Sequence, residues 1–176
     1  MHFRTLVWIT CVTISGAAFT GAQAASVQSD YDSSVDFSRF QTRSWLQQPG
    51  GTQPPLAQRN PLAHKRVVSA VEQELAAKGL ERLDEGAPSL LLSYHVGLKE
   101  RVDVDTYGYR GRWGRRDVQV HTYTEGTLVL DMIEAEKKEL VWRGWVTALV
   151  QPGGVSEEKI HKSIRKLLKK FPPEAR

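Results

Sequence analysis

The segment from Arg101 to Arg116 gathers the side chains best suited to hold a ligand. Within it, Tyr107-Gly-Tyr-Arg-Gly-Arg-Trp-Gly-Arg-Arg116 interleaves four arginines with three aromatic rings. Guanidinium forks grip phosphate oxygens in bidentate fashion, and aromatic faces stack on sugars or bases. Arg110, Arg112, Arg115 and Arg116, with Tyr107, Tyr109 and Trp113, are therefore the candidate polyanion-binding residues. The glycines permit positive φ and fit a long flexible connection between strands equally well, so both readings stand.

Other constellations are weaker. Asp103 and Asp105, with His95 and His121 on neighbouring strands, offer oxygen and imidazole ligands of a kind divalent cations accept. No spacing motif makes them converge, and two carboxylates in a solvated loop are ordinarily just charge, so no metal or other cofactor is assigned. His161 and Ser163 lie two residues apart on one helical stretch and do not face each other. His64 reads as a solvated or capping residue near a helix start. A serine elbow, a helical histidine paired with an acid, a phosphate loop and facing carboxylates are all missing, so no catalytic residue is assigned. A hydrolase would need an unfamiliar site.

The elements that must position these residues follow from periodicity. Gly126 to Ala148 reads as a hairpin, with two β-rich runs about a charged turn. A three-residue loop, Glu136 to Lys138, sets Ala135 opposite Glu139 and Asp131 opposite Arg143. One face then carries Leu128, Leu130, Met132, Leu140, Trp142, Val146 and Ala148 and must be the core. The other shows Val129, Ile133, Val141 and Trp145 beside the Asp131–Arg143 pair. It is only half polar and needs cover from more chain or from a partner. Those four residues are the partner-face candidates.

Ser26 to Asp32 and Phe37 to Trp45 are β-prone, and the prolines and glycines between Pro49 and Pro55 make a loop. Asn60 caps a helix over 61–78 with Pro61 in its first turn, Val67, Val71 and Leu75 along one side, and Gly79 as its stop. Ser89 to Leu98 alternates as a half-buried strand, and Asp117 to Thr124 resumes the sheet after a glycine-rich excursion. Ser156 caps a second helix, with Glu157 and Glu158 at its positive end and Ile160, Ile164, Leu167, Leu168 and Phe171 on one side; Pro172 and Pro173 forbid its continuation. The expected fold class is α+β, two amphipathic helices packed on one face of an antiparallel sheet.

The chain begins like an exported protein. His2 and Arg4 precede an apolar run from Leu6 to Phe19, and Ala22-Gln-Ala24 supplies the small residues signal peptidase requires. Residues 1–24 read as a signal peptide, 25–173 as one α+β domain and 174–176 as a tail. The apolar run is too short and too rich in Thr, Ser and Gly to cross a hydrocarbon core of about 30 Å, so no transmembrane segment is expected after processing. The single cysteine, Cys11, lies inside the leader. Trp8-Ile9-Thr10 before it is not a lipoprotein signal, so a lipid anchor is not expected. A net charge of +4 is only mildly basic, and with export it argues against a nucleic-acid partner.

Val27-Gln-Ser-Asp-Tyr-Asp32, Asp36-Phe-Ser-Arg-Phe40, Trp45, Gly126-Thr-Leu-Val-Leu-Asp131, Leu140-Val-Trp-Arg-Gly144 and Phe171-Pro-Pro173 occur in that order. Their combination resembles the bacterial envelope family known as domain of unknown function number 4136. The resemblance implies an exported, often lipid-anchored α+β domain of Gram-negative bacteria with no assigned activity. This chain departs from that pattern in lacking the lipid-modified cysteine. The expected role is that of a periplasmic, non-catalytic binding or scaffold domain contacting an envelope component. Lipopolysaccharide or anionic lipid would meet the arginine and aromatic segment; in the alternative, an envelope protein complex would meet the half-apolar face.

Overall fold

The computed structural model describes residues 25–46, 55–108, 116–150 and 154–173, with side chains outside 102–121. The expected leader, the Pro49 to Pro54 part of the loop, Pro152 and Gly153, and the tail lie outside the described residues. Six strands form one sheet in the order β1-β6-β5-β4-β2-β3. They are β1 (Ser26–Tyr31), β2 (Thr42–Trp45), β3 (Glu81–Arg82), β4 (Leu90–Gly108), β5 (Arg116–Glu134) and β6 (Glu139–Val150). The helices are α1 (Pro55–Arg59), α2 (Pro61–Ala76) and α3 (Glu157–Leu168), and a 3-10 turn spans Phe37–Arg39.

The sheet is mixed, which corrects the antiparallel expectation. β2 runs parallel to both β3 and β4, while β1, β6, β5 and β4 pair antiparallel. The parallel pairing arises because the chain leaves β2 through α1 and α2 before returning along β4, a helical crossover of the kind parallel strands require. Among the described residues no helix is long and apolar enough to cross a membrane.

Local chemistry explains the helices. The Asn60 side chain accepts the Ala63 N–H at 3.0 Å, and Pro61 opens α2 where its missing N–H costs nothing. The helix ends at Ala76, two residues before the expected boundary, with Gly79 at φ +84° and the Leu80 N–H bonded back to the Leu75 carbonyl. Ser156 caps α3 by accepting the Lys159 N–H. α1 replaces part of the expected loop; its five residues carry too little periodicity to distinguish a short helix from a loop.

Val67, Val71 and Leu75 of α2 and Ile160, Ile164, Leu167 and Leu168 of α3 share one core with Leu90, Leu92, Leu130, Met132 and Trp142 of the sheet. Phe171 closes one end, its ring 5.5 Å from Trp142 and 5.8 Å from Phe37, both edge-to-face. Gly144 is obligatory in this packing. A Cβ there would strike the Trp142 ring and lie 2.7 Å from Leu167 Cδ1.

The β5–β6 hairpin keeps the expected register at Asp131↔Arg143 and Met132↔Trp142, then shifts by one residue. Ile133 faces Leu140 and Glu134 faces Glu139, so the loop is Ala135 to Lys138, four residues rather than three. Lys138 takes φ +58° and its N–H bonds to the Glu134 carbonyl at 2.8 Å. The extra residue is a β-bulge that rotates Val141 into the core at 2% exposure and leaves Leu140 at 45%. Both residues exchange the faces that simple alternation assigned them.

Candidate functional site

Of the arginine and aromatic segment, Tyr107, Gly108 and Arg116 are described, at the far end of a long hairpin. β4 and β5 are each 19 residues long and pair without a register shift from Leu90↔Glu134 to Gly108↔Arg116. This corrects the expectation of a glycine-rich excursion between Leu98 and Asp117, since the chain stays in strand to Gly108. Tyr107 is opposite Asp117, and Arg116 ends the ladder opposite Gly108. Tyr109, Arg110, Arg112, Trp113 and Arg115 lie outside the described residues.

β2 accompanies β4 only as far as Leu92, and β6 accompanies β5 only to the pair Thr124↔Val150. Beyond these points, among the described residues, β4 and β5 pair only with each other. Seven residues past Arg101 carry this two-stranded arm about 23 Å farther, at roughly 3.3 Å per residue. At its base, Arg101 Nε donates to Glu125 Oε2 at 2.8 Å.

Asp103 is opposite His121 and Asp105 is opposite Gln119, whereas His95 is opposite Val129. Eight residues of extended strand, about 26 Å, separate His95 from Asp103. The four imagined metal ligands are thus not brought together. Among the residues whose side chains are described, which do not include Asp103, Asp105 and His121, no group of three His, Cys, Asp or Glu stands within reach of one ion.

The partner-face candidates divide. Val129 and Trp145 are half-buried cross-strand neighbours, and Ile133 is half-buried beside them. Tyr123 and Leu149, exposed at 37% and 40%, extend the same face. Val141 does not belong there, since the bulge buries it in the core. Asp131 holds Arg143 in a bidentate pair of 2.6 and 2.8 Å on this face, raising the guanidinium pKa through those hydrogen bonds first and their charge attraction second.

Two polar clusters escaped the sequence reading. Arg43, 1% exposed, donates from Nη1 to Glu72 Oε2 and from Nη2 to the Glu72 carbonyl, while Trp45 Nε1 donates to Glu72 Oε1 at 2.6 Å. Arg82 stands 3.8 Å from the same Oε1. Both carboxylate oxygens are thus occupied, which makes Glu72 a joint between α2 and the sheet rather than a base. Its signal was a carboxylate at the helical phase of Val68 and Leu75. Glu134, buried at the hairpin end, pairs with Arg39 at 2.6 Å and Lys137 at 3.3 Å beside an open depression of about 640 Å³.

His64 is partly buried and paired rather than freely solvated. Its Nδ1 lies 2.5 Å from the Tyr94 hydroxyl, and the two rings stack at 5.9 Å. Burial lowers the His64 pKa and pushes the Tyr94 phenol up to about 12, so both groups are held neutral near pH 7.

The fold is shared with a solved structure of low identity. A PDZ domain protein from Parabacteroides distasonis superposes with a TM-score of 0.58 at 13% identity, over 85% of this chain and 36% of that one. The chain therefore spans little more than a third of that protein. The PelC dodecamer from Paraburkholderia phytofirmans matches at a TM-score of 0.47 and 14% identity, over 82% of this chain and 95% of that one. No curated protein matches. The family model described as "Domain of unknown function (DUF4136)" matches residues 27–173, nearly the whole described domain from β1 to the residues after α3, and the chain belongs to that family.

Proposed function

We propose that the domain is exported to the periplasm and serves there as a non-catalytic binding or scaffold domain. It holds an anionic envelope component, lipopolysaccharide phosphate or anionic lipid headgroup, at the end of the β4–β5 arm. The observation that carries this reading is the arm itself. Nineteen-residue strands end at Gly108 and Arg116 in a hairpin that outruns both neighbouring strands, and the arginines between them in sequence follow on from that end. A basic segment carried clear of the body can meet a surface without the body having to approach it.

Reversing Arg110, Arg112, Arg115 and Arg116 to Glu is expected to abolish co-sedimentation with anionic vesicles and with lipopolysaccharide. Thermal stability should stay nearly unchanged, because solvated charges contribute little to folding. Binding by the unchanged protein should weaken from low to physiological salt, where screening shortens the reach of exposed charge to about 8 Å. Salt-insensitive binding retained by the reversed protein would overturn the reading. It would point instead to the second one, a subunit of an envelope protein complex in contact through Val129, Ile133 and Trp145. The exposed Tyr123 and Leu149 on the same face favour that alternative.

A further inference from the structure

A buried carboxylate at the end of β5 has one oxygen to spare. The Glu134 side chain is 5% exposed, and Arg39 Nη2 holds its Oε1 at 2.6 Å. The Arg39 guanidinium also lies 4.9 Å from the centre of the Phe40 ring, so it is held from two sides. Oε2 has no hydrogen bond among the described residues. The Lys137 ammonium stands 3.3 Å from it on a side chain 52% exposed, near enough for charge attraction but not aligned as a donor. A carboxylate taken out of water without its donors costs free energy, and a donor that reaches Oε2 recovers that cost.

The depression beside Glu134, about 640 Å³, has the size of a small-molecule site. Phe40, Pro88, Leu91 and Ala135 give it apolar walls. Hydrogen bonds hold those walls in place. The Ala135 N–H donates to the Ser89 carbonyl at 3.1 Å, while the Ser89 hydroxyl donates to the Thr42 carbonyl at 2.6 Å and accepts the Thr42 N–H at 3.1 Å. Little ordering is left for a ligand to impose.

Charge selects that ligand. Glu134 and Glu136 line the depression against the single guanidinium of Arg39, and Glu136 is exposed with no ion pair among the described residues. The surplus is negative. Lys137 shows what the surplus attracts, since it brings an ammonium on a four-carbon stem to Oε2 from three residues along the chain.

The geometry points to a binding site for a primary ammonium carried on a short apolar stem. The ammonium displaces Lys137 and donates to Glu134 Oε2 and to Glu136 on the rim, and the stem lies against Phe40 and Leu91. This site is independent of the arm. Glu134 faces Leu90 at one end of the β4–β5 ladder, and the arm ends at the other, where Gly108 faces Arg116.

NMR titration of the full chain with butylammonium chloride tests the assignment, with sodium butyrate and sodium chloride at the same concentrations as controls. Butylammonium should shift the amides of Ala87, Ser89, Ala135 and Glu136 to saturation, and neither control should. Glu134→Gln keeps the side chain's shape and removes its charge, so it should weaken binding about tenfold or more. Lys137→Ala removes the competitor and should tighten binding about threefold, the worth of an exposed ion pair. Where Glu134→Gln fails to fold, Lys137→Ala and the butyrate control decide. Amides that do not respond to butylammonium would overturn the assignment, as would butyrate saturating the same amides. So would binding undiminished in a folded Glu134→Gln, or no tighter in Lys137→Ala.

Discussion

Trp142 and Trp145 stand three residues apart on β6 and face opposite sides of the sheet. Trp142 is fully buried among Phe171, Met132 and the α3 leucines, whereas Trp145 is half-exposed opposite Gln28 and Val129. Trp142→Ala should cost about 3–5 kcal/mol in urea titration, a large share of an ordinary domain's stability, and Trp145→Ala clearly less. Equal losses would show that both faces are buried. His64 gives a pH signature of its own. Burial lowers its pKa below the ordinary 6.5, so the unfolded chain takes up a proton more readily than the folded one. Stability from this residue is intact above about pH 6.5 and is lost as pH falls below it. The fall in Tm from pH 7.5 to pH 5 should be smaller in His64→Gln. Asp32 and Asp36 do not confuse this window. Hydrogen bonds from Ser34 and Ser38 hold their pKa values below 3.8, so they release stability only at lower pH. The Tyr94 contact was not legible in the sequence because it joins residues thirty apart, on α2 and β4.

At the scale of elements, legibility tracked how local the causes were. The Asn60 and Ser156 caps, the α2 and α3 stripes, and the Asp131↔Arg143 register each depend on residues a few positions apart, and the structure has them. The bulge does not announce itself that way. Three- and four-residue loops suit Ala135-Glu-Lys-Lys138 equally, and only the packing of Val141 over Leu140 decides between them. Parallel pairing of β2 was invisible because its register is set by Leu90, nearly fifty residues away from Arg43. The arm resembles a loop in its glycine and arginine content, although Val102, Val104, Val118 and Val120 already alternate there. One glycine is explained by packing alone. Gly144→Ala should lower stability by about 1–3 kcal/mol through forced movement of Trp142 and Leu167, whereas Gly97→Ala, with open space at its Cβ, should not destabilise the fold. Chemical denaturation of the two variants compares them, and equal effects would contradict the packing account.

On the scale of the whole molecule, the core and the arm are separable in energy. Helices α2 and α3, Trp142 and Phe171 build the core at one end of the sheet, and among the described residues nothing in that core lies beyond Leu128 on β5 or Tyr94 on β4. Stability should therefore reside in the body and binding in the arm. Replacing residues 102–122 with Asn-Gly, a favoured two-residue hairpin turn, joins Arg101 to Tyr123, a pair whose backbone N–H and C=O groups face each other in the ladder. Co-sedimentation of this shortened protein with lipopolysaccharide and anionic vesicles, beside its melting curve, is the most direct measurement of the claim. The expected result is a Tm within a few degrees of the unchanged protein and no binding to either target. Binding that survives removal of the arm would contradict the account.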